Sequence, residues 1–178
     1  MRIVAVSGSP RMEGVTNSVI LDILEKGAHK GHFGKVVVLN RWELHGCQAC
    51  RYCRTEGDRC AIDDEMSKLL EDIREADMVI VGSPVYMGYV SAQLKMFLDR
   101  LYSLKDKDRK PRLAPKRCIL VLSQGAEDRE YYSSMAAQVK KLLDSANLLV
   151  EDTIIAAAPD FGADPAVKKQ IEEICSRF

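Results

Sequence analysis

The chain has 178 residues, and its 26 Lys and Arg balance its 26 Asp and Glu, so the formal net charge is zero. This length fits one domain and is enough to bury a substantial core. A balanced charge gives no sign of a nucleic-acid or membrane partner, and the longest apolar runs are far too short to cross a membrane. The run after Met1 is typical of a strand rather than a signal peptide, so we expect a cytoplasmic protein with reduced thiols.

Short apolar runs alternate with longer amphipathic ones along the chain. The apolar runs predict strands at 3–6, 36–39, 78–81 and 118–122, with a fifth strand within 149–157. Apolar residues at helical spacing predict helices at 16–29, 64–76, 91–104, 130–147 and 164–177, and the polar segment 105–111 is predicted to be a solvated loop. Buried strands that alternate with helices indicate a parallel sheet covered on both faces. We therefore predict an α/β, flavodoxin-like doubly wound sheet of five parallel strands, in the order 2-1-3-4-5, as a single domain over 1–178.

The segment between the first strand and the first helix offers a site for a phosphate. Ligands of such sheets bind at the carboxyl ends of the strands, where a helix N-terminus presents unpaired N–H groups and a positive dipole. The loop has neither a Gly-Lys-Ser/Thr run nor G-x-G-x-x-G, which favours a single phosphate. An ordinary capped turn is the alternative. The candidate contacts are Ser9, Arg11, Thr16, Asn17 and Ser18.

This loop resembles the phosphate loop of the NADPH-dependent FMN reductase and flavodoxin-like family. The similarity lies in Gly8-Ser9-Pro10-Arg11, followed by Gly14 and Thr16-Asn17-Ser18. Family members often have Gly-Asn-Thr where this chain has Gly14-Val15-Thr16-Asn17, so the polar pair is shifted. The helix at 91–100 also resembles the family, whose members often build a dimer interface over the flavin there.

The segment 82–89 offers flat or soft surfaces to a planar ring through Tyr86, Met87 and Tyr89. Simple packing of these side chains is the alternative. The same family resemblance implies that this segment lines the flavin ring through Pro84, Val85, Tyr86, Met87 and Gly88. The loop after the fourth predicted strand is less specific, and its candidate contact is Gly125.

Four cysteines crowd one short stretch with the spacing C-x2-C-x2-C-x6-C, namely Cys47, Cys50, Cys53 and Cys60. Three thiols at this spacing can surround one compact group and the fourth can close the cage, as in iron–sulfur sites. Zinc with four thiolates is one alternative, although zinc sites usually pair two C-x2-C units across a longer spacer. A redox pair of Cys47 and Cys50 and a set of inert thiols are the others.

The remaining cysteines and the nearby arginines are expected to have different roles. Cys118 and Cys175 lie in a predicted core strand and in the last helix, so we expect both to be buried apolar residues. Arg51, Arg54 and Arg59 lie within the cysteine stretch and would partly offset the negative charge of a group held by four thiolates.

With this motif the chain resembles the iron–sulfur flavoproteins of anaerobic archaea and bacteria. The resemblance implies FMN and a [4Fe–4S] cluster, the latter in an insertion at about 44–63. It also implies a ferredoxin-like electron carrier as partner and a homodimer or homotetramer. We therefore expect an electron-transfer flavoprotein of the oxidoreductase class, with no acid–base catalytic residue. An NAD(P)H-dependent FMN or quinone reductase with a structural metal at the cysteines is the alternative, and a non-catalytic electron carrier is the third.

Overall fold

The computed structural model describes residues 1–160 and 163–178. The strands are β1 (Arg2–Ser7), β2 (Phe33–Val38), β3 (Met78–Tyr86), β4 (Tyr89–Val90), β5 (Lys116–Gln124) and β6 (Leu148–Ala157). The helices are α1 (Val15–His29), α2 (Tyr52–Thr55), α3 (Glu65–Glu75), α4 (Ala92–Arg100), α5 (Ser133–Asp144) and α6 (Pro165–Ser176). Short 3₁₀ turns follow β2 and α4, at Leu39–Arg41 and Leu101–Leu104.

Five parallel strands form the sheet in the order β2-β1-β3-β5-β6, and the two-residue β4 pairs antiparallel with the end of β3. This confirms the predicted fold and strand order. Side chains of β1 alternate between two apolar clusters, because successive strand residues point to opposite faces. Val4 and Val6 pack on the side of α3, α4 and α5, whereas Ile3 and Ala5 pack against α1 and α6.

The third strand is five residues longer than the prediction of 78–81, because its pairing with β5 continues to Pro84. Pairing with β1 ends at Gly82, whose carbonyl accepts from Gly8 N. The backbone N–H and C=O groups of successive strand residues point to alternate sides, so those of Pro84 point to the same side as those of Gly82. Because β1 has already ended on that side, the N–H that proline lacks would have had no partner in the sheet. Met87 and Gly88 then turn the chain into β4 with φ of 50° and 78°, as a two-residue hairpin requires. The segment 82–89, which lay beyond the strand predicted at 78–81, is therefore mostly strand and hairpin.

The other boundaries agree with the predictions to within a few residues. The second strand lies at Phe33–Val38 rather than 36–39, since Leu39 begins a 3₁₀ turn. The helix predicted at 91–104 changes to a 3₁₀ turn after Arg100, and the helix predicted from 130 begins at Ser133. In the described part of the chain, no helix combines the length and the apolar character that a membrane crossing requires.

Candidate functional site

The ends of β1 and β3 are locked to the start of α4. Ser91 caps α4 by accepting from Leu94 N, and its Oγ also donates to the Gly8 carbonyl at 2.7 Å. Ser91 N donates in turn to Ser83 Oγ at 2.9 Å. A Cβ on Gly8 would lie 2.6 Å from Ser91 Oγ and 2.7 Å from Leu94 Cβ, so only glycine fits there. The loop after β1 and the end of β3 therefore share one edge of the sheet.

Asn17 holds the loop after β1 in shape. Its buried side chain donates from Nδ2 to the carbonyls of Arg11 at 2.8 Å and Met12 at 3.2 Å, and Oδ1 accepts from Ser7 Oγ at 2.5 Å. These three bonds use the polar atoms of the amide. Asn17, one of the five residues predicted to contact a phosphate, therefore stabilises the loop through hydrogen bonds within it.

Thr16 ties this loop to the end of β5. Its buried Oγ1 lies 2.8 Å from Ser123 Oγ. Ser9 is buried as well, and its Oγ donates to the Arg11 carbonyl at 3.2 Å. Arg11 and Ser18, the other two predicted contacts, are exposed. The first turn of α1 is therefore joined to the end of β5, and the side-chain donors that remain exposed at the predicted phosphate loop belong to Arg11 and Ser18.

The N-terminus of α1 is open. Its N-cap residue is Gly14, and within the described part of the chain no side chain caps the helix. The first turn holds no acidic residue. An uncapped end of a 15-residue helix beside an exposed arginine suits an anion such as a phosphate, through N–H groups and the helix dipole.

The residues predicted to contact the flavin ring differ in their exposure. Pro84 is buried and Val85 is half-buried against the core, so they support the hairpin. Tyr86 and Gly88 are exposed and Met87 is fully exposed at the hairpin tip. Gly125, past the end of β5, is exposed, and no atom of the described residues lies within 4 Å of an added Cβ. Exposed candidate contacts therefore follow both β3 and β5, which are neighbours in the sheet.

The four clustered cysteines are free thiols in a segment between the first 3₁₀ turn and α3. Cys47 and Cys50 are exposed, Cys60 is half-buried and Cys53 is buried. Burial raises the pKa of Cys53, and the neighbouring thiols Cys60, Cys47 and Cys50 raise it further. Over residues 1–160 and 163–178, no group of three or more Cys, His, Asp or Glu side chains is arranged to hold a metal ion. The fold thus brings the thiols into one neighbourhood without closing them into a cage.

The backbone around Cys50 is tightly curled. Ala49 and Arg51 have φ of 53° and 62°, a left-handed conformation that is uncommon outside glycine. The turn leaves the Cys50 side chain exposed. Beside Cys60, a cleft of about 650 Å³ opens between this segment and α3 and includes Arg59 and Arg74 in its lining.

Two arginines from outside the segment hold its backbone. Arg112 Nη1 donates to the carbonyls of Cys53 at 2.8 Å and Lys105 at 2.7 Å. Arg100, the last residue of α4, donates to the carbonyls of His45 at 2.9 Å and Ile62 at 3.3 Å. Neither arginine was predicted from the sequence to belong to this site. The sequence feature that could have identified Arg100 is its position three residues after Phe97, which places it on the buried face of α4.

Buried N–H groups of two arginines have no hydrogen-bond partner among the described residues, namely Arg54 Nε and Nη1 and Arg100 Nε. The Arg54 guanidinium lies 4.9 Å from the centre of the Tyr102 ring and donates from Nη2 to the Lys107 carbonyl at 2.6 Å, whereas Arg100 donates to carbonyls at both ends of the cysteine segment. Burial opposes the charge of Arg100, but its hydrogen bonds to Asp64 and the negative charge of Asp64, with a contribution from the neighbouring Cys60, outweigh it, so the pKa of Arg100 is raised. Buried cationic donors of this kind suit an anionic group that carries further acceptor atoms.

Residues 1–129 match the family model described as NADPH-dependent FMN reductase, and the chain belongs to this family. It is 42% identical over 105 residues to an iron–sulfur flavoprotein of Methanocaldococcus jannaschii, a match that covers 59% of this chain and 54% of that protein. It is 40% identical over 108 residues to an iron–sulfur flavoprotein of Methanosarcina thermophila, covering 61% and 56%. The matched stretch thus spans little more than half the length of either relative.

The fold is shared with solved structures at low sequence identity. An NAD(P)H:quinone oxidoreductase from Methanothermobacter marburgensis superimposes with a TM-score of 0.72 over 99% of this chain and 93% of that chain, at 17% identity. Family membership confirms the predicted resemblance and places the chain among flavin-dependent redox proteins.

Proposed function

We propose that this protein is an electron-transfer flavoprotein that binds FMN at the sheet edge and a [4Fe–4S] cluster at Cys47, Cys50, Cys53 and Cys60. The observation that carries the proposal is the group of four free thiols in one segment, whose backbone is held by the buried Arg100 with an Nε–H that has no acceptor among the described residues. When bound, the cluster exchanges single electrons and FMN exchanges one or two. The protein would pass electrons between a ferredoxin-like carrier and an acceptor.

The residues at the sheet edge fit FMN in two ways. The open N-terminus of α1 and the exposed Arg11 can bind its phosphate. The exposed surfaces of Tyr86 and Met87, together with the open space at Gly125, can take a planar ring. Asn17 stabilises the conformation of the phosphate loop by donating to the carbonyls of Arg11 and Met12.

The residues of the cysteine segment fit a negatively charged cluster. Cys47 and Cys50 are exposed on a curled loop and can turn towards a common centre, whereas Cys53 is fixed at the start of α2. Arg100 supplies positive charge and a buried N–H donor that has no acceptor among the described residues, and Arg54 adds positive charge within the segment; positive charge and N–H donors stabilise sulfur ligands.

We also propose a homo-oligomer, because large apolar side chains are exposed near the FMN loops. Met12, Tyr86, Met87 and Tyr131 are all exposed, and a second copy could cover them together with the flavin. Light scattering should give a mass at least twice that of the chain, and Met87→Asp should reduce it. A monomeric wild-type protein would contradict this part of the proposal.

Purification without oxygen tests the cofactor proposal. We expect a brown protein with flavin and broad cluster absorption, containing iron and acid-labile sulfide. Cys50→Ala removes an exposed side chain and should abolish the cluster absorption while FMN remains. Cys118→Ala, in the buried strand β5, is the matched control and should keep both cofactors. A colourless, iron-free wild type or a Cys50→Ala protein with full iron content would contradict the proposal.

A second candidate is an NAD(P)H-dependent FMN or quinone reductase in which the cysteines hold a structural metal such as zinc. The family description, NADPH-dependent FMN reductase, favours it. Metal analysis separates zinc from iron. Bleaching of the flavin by NADPH alone favours the reductase, whereas bleaching only by a reduced one-electron carrier favours electron transfer.

A further inference from the structure

We infer that Arg100 is a positioning residue of the cysteine site, which fixes both ends of the cysteine segment and donates its remaining N–H to sulfur beside Cys60. This inference rests on the proposed function. It assigns a role to a residue at the end of α4, outside the segment of the four cysteines.

The two ends of the segment meet at Arg100. Its guanidinium binds the carbonyl of His45, before the first cysteine, and that of Ile62, after the last. Asp64 accepts from Nη1 and Nη2 of Arg100 and also from His45 N at 3.0 Å. His45 is thus held through its N–H by Asp64 and through its C=O by Arg100. The base of the cysteine segment is closed before any ligand binds.

The hydrogen bonds of Arg100 leave one donor over. A guanidinium has five N–H groups. Nη1 donates to His45 O and Asp64 Oδ2, and Nη2 donates to Ile62 O and Asp64 Oδ1. The remaining Nε–H has no acceptor among the described residues. The side chain is 0% exposed, so water does not supply one either. Such an unpaired donor is costly unless a ligand supplies its acceptor.

The Cys60 thiol belongs to the same corner of the site, because Arg100 donates to the carbonyl of Ile62, two residues after Cys60, and Cys60 contributes to the raised pKa of Arg100. A sulfur atom at that corner of the site would satisfy Nε–H. Hydrogen bonds to sulfur and nearby positive charge stabilise the reduced, more negative state of a cluster, so they raise its reduction potential. Arg100 is therefore expected to raise the potential of the bound cluster.

Arg112 provides the matched control. It also donates to a carbonyl of the segment, that of Cys53, and to those of Ser103 and Lys105. None of its N–H groups is among the buried donors without a partner in the described residues. Arg112 thus braces the segment without a donor reserved for a ligand.

The test compares Arg100→Lys and Arg112→Lys with wild type as oxygen-free holoproteins. Iron per chain is measured first, and the cluster midpoint potential then follows from a dye-mediated spectroelectrochemical titration. Lysine keeps the charge but lacks Nε–H and the fork. In Arg100→Lys we expect the oxidised form to be favoured about tenfold more than in wild type, which lowers a one-electron potential by about 59 mV. Arg112→Lys should keep the wild-type potential.

The outcomes separate the inference from the proposed function. Wild type without iron would contradict the proposed function itself. Full iron with an unchanged potential in Arg100→Lys, or an equal shift in Arg112→Lys, would overturn only the role of Arg100. If Arg100→Lys does not fold or loses its iron, the test uses Asp64→Asn instead. Asparagine still caps α3 but does not neutralise the guanidinium of Arg100. The midpoint potential of the cluster should therefore rise. An unchanged or lower potential in Asp64→Asn would overturn the inference.

Discussion

Arg100 and Asp64 form a bidentate ion pair between the end of α4 and the start of α3, with Nη1–Oδ2 and Nη2–Oδ1 distances of 2.8 and 2.9 Å. The two side chains are 0% and 4% exposed. Burial of two charges is costly, so such a pair persists where hydrogen bonds satisfy both partners. Here the carboxylate also accepts from the backbone of His45 and Met66, and the pair joins the cysteine segment to the core.

Breaking this pair should destabilise the protein strongly. Arg100→Met leaves the Asp64 carboxylate buried without its partner, which should lower the free energy of unfolding by about 3–5 kcal/mol. Lys95→Ala is the control, because the Lys95–Asp99 pair is also on α4 but each side chain is 44% exposed. Its loss should cost under about 1 kcal/mol. Urea unfolding of metal-free protein measures both, and equal losses in the two variants would contradict the prediction.

The contribution of Asp64 should depend on pH. Burial opposes its ionisation, but hydrogen bonds from Arg100, His45 and Met66 and the Arg100 charge together outweigh it, so the pKa of Asp64 lies below its usual value of 3.8. A lowered folded-state pKa gives stability that is present above the unfolded pKa and is lost as pH falls through the folded one. The difference in unfolding free energy between wild type and Asp64→Asn should be full near neutral pH and shrink below about pH 4. Urea titrations across this range test it, and a difference that grows on acidification would refute it.

Asn17 should contribute to the stability of the protein itself and, through the loop, to FMN binding. Asn17→Ala leaves Ser7 Oγ and the carbonyls of Arg11 and Met12 without their partner, which should lower the unfolding free energy by about 1–3 kcal/mol and weaken FMN binding through the loosened loop. Ser18→Ala, at an exposed position of the same helix turn, should leave stability unchanged and weaken FMN binding only. Urea unfolding and flavin-fluorescence titration measure the two effects. Wild-type stability in Asn17→Ala would show that the brace is not needed.

Two glycines at the sheet edge should respond differently to an added methyl group. Gly8→Ala places Cβ within 2.7 Å of both Ser91 Oγ and Leu94 Cβ, so it should lose about 1–3 kcal/mol of unfolding free energy. The Cβ of Gly125→Ala meets no atom of residues 1–160 or 163–178 within 4 Å, so this variant should stay within about 0.5 kcal/mol of wild type. Weaker FMN binding in Gly125→Ala would indicate that the flavin occupies the space above it. Equal stability of the two variants would contradict the packing argument for Gly8.

The length of β3 shows where local patterns were insufficient. The predicted strand ended at residue 81 with its apolar run, and Pro84 and Gly88 beyond it each favour turns in isolation. Pairing with β5 keeps the strand extended to Tyr86, and the end of β1 makes Pro84 acceptable there. The strand order, in contrast, could be predicted from the alternation of apolar strands and helices.

The sequence by itself determined the three-layered α/β fold and the grouping of four thiols in one segment, because periodicity and spacing act over a few residues. Only the tertiary structure decided that Asn17 braces its own loop and that Arg100 is buried against carbonyls 55 and 38 residues away. Contacts of that kind depend on which elements pack together. A charged residue on a helix has the same local pattern whether water or a distant carboxylate becomes its partner.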